Sequence, residues 1–466
     1  MKNLLIISAL LLAQFSLGQI VNIPNANFKN ALINTHCVDT NGDGIFNADA
    51  DTNNDGEIQI SEADAVLRLK VDNQLISNLV GIESFTYLEY FNCDGNFITT
   101  LNLATAPNLI ELNISGNDLT NFSIVENQNL EIFELYQNNL AALDISQNPS
   151  LKRLDCSDNN ILNLDVSQNL NLEVLICKRN NLSSLDVSQN SNLNYLGCTS
   201  NPLGNIDISN NLNLTGIECQ NNSLNSLDTS NNPSLDYLVC RYNNLSTLDL
   251  SFNPDLRYLQ IDSNRFTDID LSTNPQLLFF CSNNQLNKLD VSHNPLLYDI
   301  KFDNNEIATL DLSQNPNLIW IEGNNNHLRN FNIQNGNNTM LNNMEVYDNS
   351  NLACIQVDDE NYANTRTCNN NNWCKDTTAS YSEFCELVGI EDFAAVDFKL
   401  FPNPTKNILN IQSKTPIENV EIYSPQGVLI NEYSSNSLDV SQLSSGIYFV
   451  DVTVNGKSVT KKFIKV

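Results

Sequence analysis

The segment from Asp51 to Glu62 carries oxygen-bearing side chains at a spacing that suits a hard cation. Asp51, Asn53 and Asp55 stand at its first, third and fifth positions, Gly56 at its sixth and Glu62 at its twelfth. Oxygens at alternate positions of a tight turn, closed by a distant carboxylate, can surround calcium. An earlier segment, Asp39-Thr40-Asn41-Gly42-Asp43-Gly44, opens in the same way but has Ala50 at its twelfth position, so the closing carboxylate is missing. A second set of acids recurs through the chain: Asp144, Asp165, Asp186, Asp207, Asp228, Asp249, Asp270, Asp290 and Asp311, each two residues before a serine. Backbone N–H or serine hydroxyl groups are expected to hold these like charges. Acid–base and nucleophilic catalysis find little material. The only histidines are His36, His293 and His327, and none belongs to a recognisable arrangement with a Ser or Cys nucleophile. The chain reads as a non-enzyme.

A repeat must position these residues. Leu143-Asp-Ile-Ser-Gln-Asn148 returns as Leu164 to Asn169 and again as Leu185 to Asn190, in steps of 21 residues. The copy at Leu289 comes one residue early, and Leu310 restores the period. Between the copies lies a second half-repeat, Leu172-Glu-Val-Leu175-Ile-Cys177-Lys-Arg-Asn180-Asn-Leu182. Inward residues at its positions 1, 4 and 6 fit a short strand followed by a turn. Its Asn at position 9 can bond turn backbone groups that are otherwise buried unpaired. One such unit has too few apolar side chains to fold alone, so the units must stack and share a core. Parallel strands about 4.8 Å apart then give a solenoid on the order of 65 Å long for about fourteen coils.

The unit LDVSxN…LxCxxNxL resembles the leucine-rich repeat family, in particular internalin J-like repeats, over about residues 66–352. The resemblance implies a right-handed coil whose concave sheet binds protein or glycan. The Asp51–Glu62 segment resembles an EF-hand loop. That likeness implies a structural calcium held by Asp51, Asn53, Asp55, the Glu57 carbonyl, Gln59 through water, and Glu62.

Cysteine falls into two classes. Cys93, Cys156, Cys177, Cys198, Cys219 and Cys240 share position 6 with Ile114, Leu135, Ile261 and Phe302 of other coils. Interchange with apolar residues marks the thiol as core filler, and in-register parallel strands give poor disulfide geometry. Cys281 is expected to join this ladder, displaced by the one-residue deletion. Cys354, Cys368, Cys374 and Cys385 lie beyond the period, where an open solenoid end needs a cap. Four cysteines allow three connectivities; Cys354–Cys385 with Cys368–Cys374 is preferred. Cys37 has no obvious partner.

On the concave face, position 3 is rich in aromatic residues in the second half of the array. Tyr195, Tyr237, Tyr258, Phe279 and Trp320 are read as a ligand stripe; the alternative is that stacked rings merely stabilise neighbouring strands.

The ends of the chain are addresses. Lys2, the apolar run Leu4 to Leu12 and Ser16-Leu17-Gly18 read as a signal peptide. From Phe398 onward the period is gone and alternating strands are separated by Ser424-Pro-Gln-Gly427, Ser444-Ser-Gly446 and Asn455-Gly456. The PNP, VEIYSPQG and LDVSQLSSGIYFV motifs and the basic tail resemble the type IX (Por) secretion C-terminal sorting domain. This implies handling by the type IX machinery and its sorting peptidase, followed by release or attachment at the outer-membrane surface. The fold expectation is therefore mainly β: signal peptide 1–18, N-terminal cap 19–65, solenoid 66–352, cysteine-containing cap 353–386, linker 387–397 and a small antiparallel β-sandwich 398–466. The net charge of −31 argues against nucleic acid, and no later apolar stretch is long enough to span a bilayer as a helix. The function expected is secreted or surface binding of a protein or glycan ligand, as in adhesion. The runners-up are a non-binding structural surface component and a polysaccharide-acting enzyme.

Overall fold

The computed structural model describes residues 19–368, 373–385, 398–413, 416–424, 429–433, 435–454 and 457–466. The expected signal peptide and the linker 387–397 lie outside them. The chain divides into two compact units, Met1–Phe384 and Cys385–Val466.

In the first unit every coil contributes one three- or four-residue strand to a parallel sheet. Fifteen strands, from Arg68–Lys70 to Trp373–Lys375, lie side by side in chain order. Their registers are direct: Leu154 pairs with Leu175, Leu175 with Leu196 and Leu196 with Ile217. The strands are so short because only the middle residue faces the core. Leu154, Leu175 and Leu196 are fully buried while the residues on either side face outward or are partly covered. A second sheet of four strands, Thr309–Asp311, Asn330–Asn332, Cys354–Gln356 and Ser380–Ser382, forms from the other half-repeat near the C-terminal end of the stack. Elsewhere that half-repeat is a chain of turns.

One continuous core runs through this unit, from Val21 in the N-terminal cap to Tyr381. The cap consists of the helix Ala26–Asn34, the two Asp-rich loops and the short helix Ile60–Ala63. Phe28, Ala31 and Leu32 of its first helix are buried against that core and close its open end.

Turning the chain so tightly leaves N–H and C=O groups inside. The position-9 asparagines satisfy them. In the coil of Asn159, Nδ2 donates to the carbonyls of Leu135 at 3.0 Å, Cys156 at 3.2 Å and Ser157 at 3.1 Å, and Oδ1 accepts from the Leu140 N–H at 3.0 Å. Leu135 and Leu140 belong to the preceding coil, so each asparagine ties two coils together. The residue before it sits in the left-handed region, at φ 54° for Asp158 and 49° for Arg179, which swings the asparagine inward.

The asparagine that closes each LDVSxN motif forms a second column. Asn190 Nδ2 donates to Val166 O at 3.0 Å and Asn169 O at 2.9 Å. Its Oδ1 is buried without a partner, as in Asn148, Asn169 and Asn211. At Asn253 the acceptor is met, because Thr229 stands where other coils have Val, Ile or Leu and its hydroxyl donates to Asn253 Oδ1 at 2.8 Å.

The second unit is a sandwich of two sheets. One holds Phe398–Phe401, Ile408–Ser413 and Ser437–Asp439; the other holds Leu429–Tyr433, Asn419–Tyr423, Gly446–Val454 and Lys457–Lys465, all antiparallel. Leu409, Ile411 and Leu438 from the first sheet meet Val420, Ile422, Val450 and Phe463 from the second in a core of its own. This is the alternating pattern expected for the segment.

Asn159→Leu keeps the volume but strips four backbone groups of their partner. It should lower stability by about 3 kcal/mol or more, read as the denaturant midpoint of the full chain. A change below about 0.5 kcal/mol would show that the column carries no weight.

Candidate functional site

The fifteen-strand sheet, expected to be the concave face, presents two rows of side chains, one on each side of the buried middle residue. Tyr195, Tyr237, Tyr258 and Trp320 all lie in the first row, as expected. Tyr237 and Tyr258 pair across adjacent strands with ring centroids 4.8 Å apart and planes inclined by 12°. Tyr195 stands two strands before Tyr237. The glycines near it explain its pose: a Cβ on Gly216 would meet its Cδ2 at 2.8 Å, and one on Gly197 would meet Cε1 at 3.4 Å. The ring therefore lies over backbone, and its hydroxyl reaches Glu218, which also binds Lys178 Nζ at 2.7 Å. Burial pushes Tyr195 up, and the bond to Glu218 adds to this. Burial also works to raise Glu218, but Lys178 and Tyr195 together hold it below the usual carboxylate range.

Phe279 does not join the stripe. Its strand is Leu278–Phe280, Tyr258 pairs with Leu278, and Phe279 pairs with Leu259 and Ile300 in the core, fully buried. The missing residue of this 20-residue step falls between Leu277 and the strand, which slides the strand by one and reverses inside and outside. Phe280 takes the outward place but is only 8% exposed, with its ring 5.8 Å from Tyr258 in an edge-on arrangement. The buried ladder place of Cys281 obeys the same shift.

Charged residues that the sequence reading had not singled out frame the far end. Lys301 pairs with Glu322 at 3.0 Å, and its Nζ lies 5.9 Å from the ring centroids of both Phe280 and Trp320. Trp320 is 36% exposed and its indole N–H donates to Glu322. Asp299, beside Trp320 on the neighbouring strand, has its Oδ1 buried without a hydrogen bond. Burial, with the Glu322 charge and against Lys301, pushes its carboxyl up to about 6.

The Asp51 loop closes on its own N–H groups. Asp51 accepts from Asp55 N and Gly56 N, Asp55 from Glu57 N, and Glu62 from Asn53 N and Gln59 N, with Gly56 at φ 84°. Asn53 Nδ2 donates to Gln59 Oε1 at 2.7 Å, and Lys29 pairs with Glu57 at 2.6 Å. Among the described residues no three His, Cys, Asp or Glu side chains gather closely enough to hold a metal as they stand. The donor types still fit calcium. Asp51 and Glu62 are 4% and 6% exposed, and among the described residues neither has a Lys or Arg partner. The Asp39 loop differs, since Arg68 Nε stands 3.1 Å from Asp39 and neutralises it.

The repeated aspartates take the bonds expected of them. Asp144, Asp186 and Asp207 accept the N–H of the serine two residues on at 2.9–3.0 Å, and that N–H and the serine hydroxyl hold them below the usual range. His293 Nδ1 meets the Ser292 hydroxyl at 3.1 Å, but on an exposed turn whose counterparts in other coils have no histidine.

Cys93, Cys156, Cys177, Cys198, Cys219, Cys240 and Cys281 are buried free thiols, as is Cys37, whose Sγ lies 3.8 Å from Leu32 O. Cys368 and Cys374 are bonded at 1.97 Å, and Cys354 and Cys385 are each disulfide-bonded as well. Burial pushes Cys198 and Cys240 up to about 12.

Residues 399–466 match the model of the secretion system C-terminal sorting domain, which indicates export by type IX secretion. No curated protein matches the chain by sequence. Among solved structures, the chain is similar to the functional domain of InlJ from Listeria monocytogenes, described as including a cysteine ladder. The identity is 25% and the TM-score 0.61, over 88% of this chain and 93% of that one. It is also similar to a leucine-rich-repeat protein of Leptospira interrogans, at 25% identity and TM-score 0.50 over 57% and 80% of the two chains. The internalin InlF of Listeria monocytogenes gives 19% and 0.52 over 80% and 99%. The solenoid is thus of the leucine-rich-repeat type, joined to a sorting domain.

The thiolate is the reactive form, so thiols raised this far and enclosed this well should resist alkylation. Iodoacetamide at pH 8 should leave the eight free cysteines unmodified in the native chain and label all eight in guanidinium. Stoichiometric labelling of the native chain, counted by mass spectrometry, would refute a closed ladder.

Proposed function

We propose that this protein is exported to the cell surface or beyond it and there binds a macromolecular ligand, protein or glycan, on the second half of its concave sheet. The reading is carried by the aromatic group of Tyr237, Tyr258 and Phe280, with Tyr195 and Trp320 to either side, on a face whose other side chains are mostly polar or charged. Tyr237 and Tyr258, half-buried beside the covered ring of Phe280, still offer edges and hydroxyls to a partner, and such residues dominate binding energy elsewhere. The sorting domain at 399–466 supports the location. The likeness to internalin-type solenoids supports binding over catalysis.

The double substitution Tyr237→Ser and Tyr258→Ser removes the stacked pair without touching the core. It should weaken capture of surface material by the full chain, attached to beads, by about tenfold or more, with the far-UV spectrum unchanged. Equal capture by parent and variant would dismiss the face as the binding site.

Calcium is proposed for the loop from Asp51 to Glu62, held by Asp51, Asn53, Asp55, the Glu57 carbonyl, Gln59 through water, and Glu62. The ion would relieve two nearly buried carboxylates and stiffen the cap over the first coil. Chelation should lower the melting temperature of the full chain, and Glu62→Gln should both lower it and abolish the response to chelator. A melting temperature indifferent to calcium refutes the site.

A further inference from the structure

The aromatic face ends in a corner whose charges do not balance. Asp299 follows Leu278 in the first row and stands directly beside Trp320. Phe280 and Lys301 stand side by side in the second row. Asp303, two residues beyond Lys301, accepts the Asn324 N–H at 2.9 Å and the Ser282 hydroxyl at 3.2 Å, so its oxygens are used. Glu322 takes Lys301. Among the described residues, only Asp299 keeps a buried carboxylate oxygen with no donor. The lysine that could have served it has been drawn to the next strand, and Asp299, Asp303 and Glu322 share that one ammonium with the more distant Asp262. A buried acceptor left open costs free energy unless something outside the chain supplies the donor.

On the concave-face reading above, we infer that the corner formed by Leu278, Phe280, Asp299 and Trp320 receives a basic side chain, lysine or arginine, of a protein partner. The corner suits a cation in two ways. Asp299 offers an unpaired charge in a partly desolvated place, where a charge-assisted bond is strong. Trp320, 36% exposed, offers a ring against which Lys301 already rests at 5.9 Å, as Lys301 also does against the covered ring of Phe280, so an ammonium or guanidinium is compatible with the corner. An uncharged sugar could give Asp299 a hydrogen bond but would leave its charge uncompensated.

The groups facing Asp299 set the pH response: Lys301 on its own strand and Glu322 on the next, within a largely covered site. Its carboxyl, raised to about 6, is ionised at neutral pH and protonated below. The protonated acid has no charge to offer, so binding of a basic group should fall as pH drops from 7 to 5.

The test uses the full chain and a fluorescein-labelled tetra-arginine peptide at about 0.15 M salt, with the citrulline peptide of equal length as the uncharged control. The parent should bind the first and not the second. Asp299→Asn should weaken binding about tenfold or more, while Asp207→Asn, on the repeated LDVS turns, should leave it unchanged. Should Asp299→Asn fail to give the parent's circular dichroism, Trp320→Ser takes its place with the same expectation. Failure of the parent to bind, equal binding of the citrulline peptide, parent-like affinity in the corner variant, or an equal loss in Asp207→Asn each overturns the inference. The two readings separate in the bead assay. Capture that survives Asp299→Asn but is lost with Tyr237→Ser and Tyr258→Ser removes the basic-group reading alone. Capture untouched by either removes both.

Discussion

A 21-residue coil cannot satisfy its own backbone. Its turns aim N–H and C=O groups into an apolar interior, away from bulk solvent. The position-9 asparagine answers this by reaching in two directions, as Asn159 does when it joins carbonyls of its own coil to a carbonyl and an N–H of the coil before. Hydrophobic stacking alone would allow coils to slide or rotate. The amide column fixes their spacing and phase, because a coil out of register leaves several buried polar groups open at once. The straight rows on the concave sheet, and therefore any site built from them, depend on that constraint.

The two asparagine columns are not equivalent. The inner one is saturated on both its nitrogen and its oxygen, whereas the LDVSxN column leaves Oδ1 open in most coils. Thr229 shows that one hydroxyl is enough to close the account for Asn253. The chain thus tolerates a repeated small cost on one side of the stack while the other side holds it together. At the N-terminal end the same logic continues with charge, since Asp39 is met by Arg68 and by three loop N–H groups before the first strand begins.

What recurs with the period could be read in the sequence. The strand positions, the role of the position-9 asparagine, the burial of the thiols and the serine bonds to the aspartates all follow from repeated letters at fixed steps. The sorting sandwich was legible from its alternation and turn residues. Phe279 was misplaced because the period shows that a residue is missing but not where; Leu277 still matches the turn before it, and burial shows that the gap lies after Leu277. A signal was present, since giving Cys281 its ladder place already turns Phe280 outward. The imbalance at Asp299 was not legible. It depends on which of two carboxylates captures Lys301, and that is decided by cross-strand distances that letters do not encode.

That single shortened step also says how such an array can change its binding face. Between a turn and its strand, loss of one residue exchanges the buried and displayed members of a neighbouring pair without altering the number of core side chains or the asparagine bonds downstream. Here it drew one phenylalanine into the core and turned the next to the outer side of the sheet, where its neighbours cover it. A lineage, or a protein engineer, can therefore rewrite the displayed letters of one rung by a deletion of three nucleotides, leaving every other rung as it was.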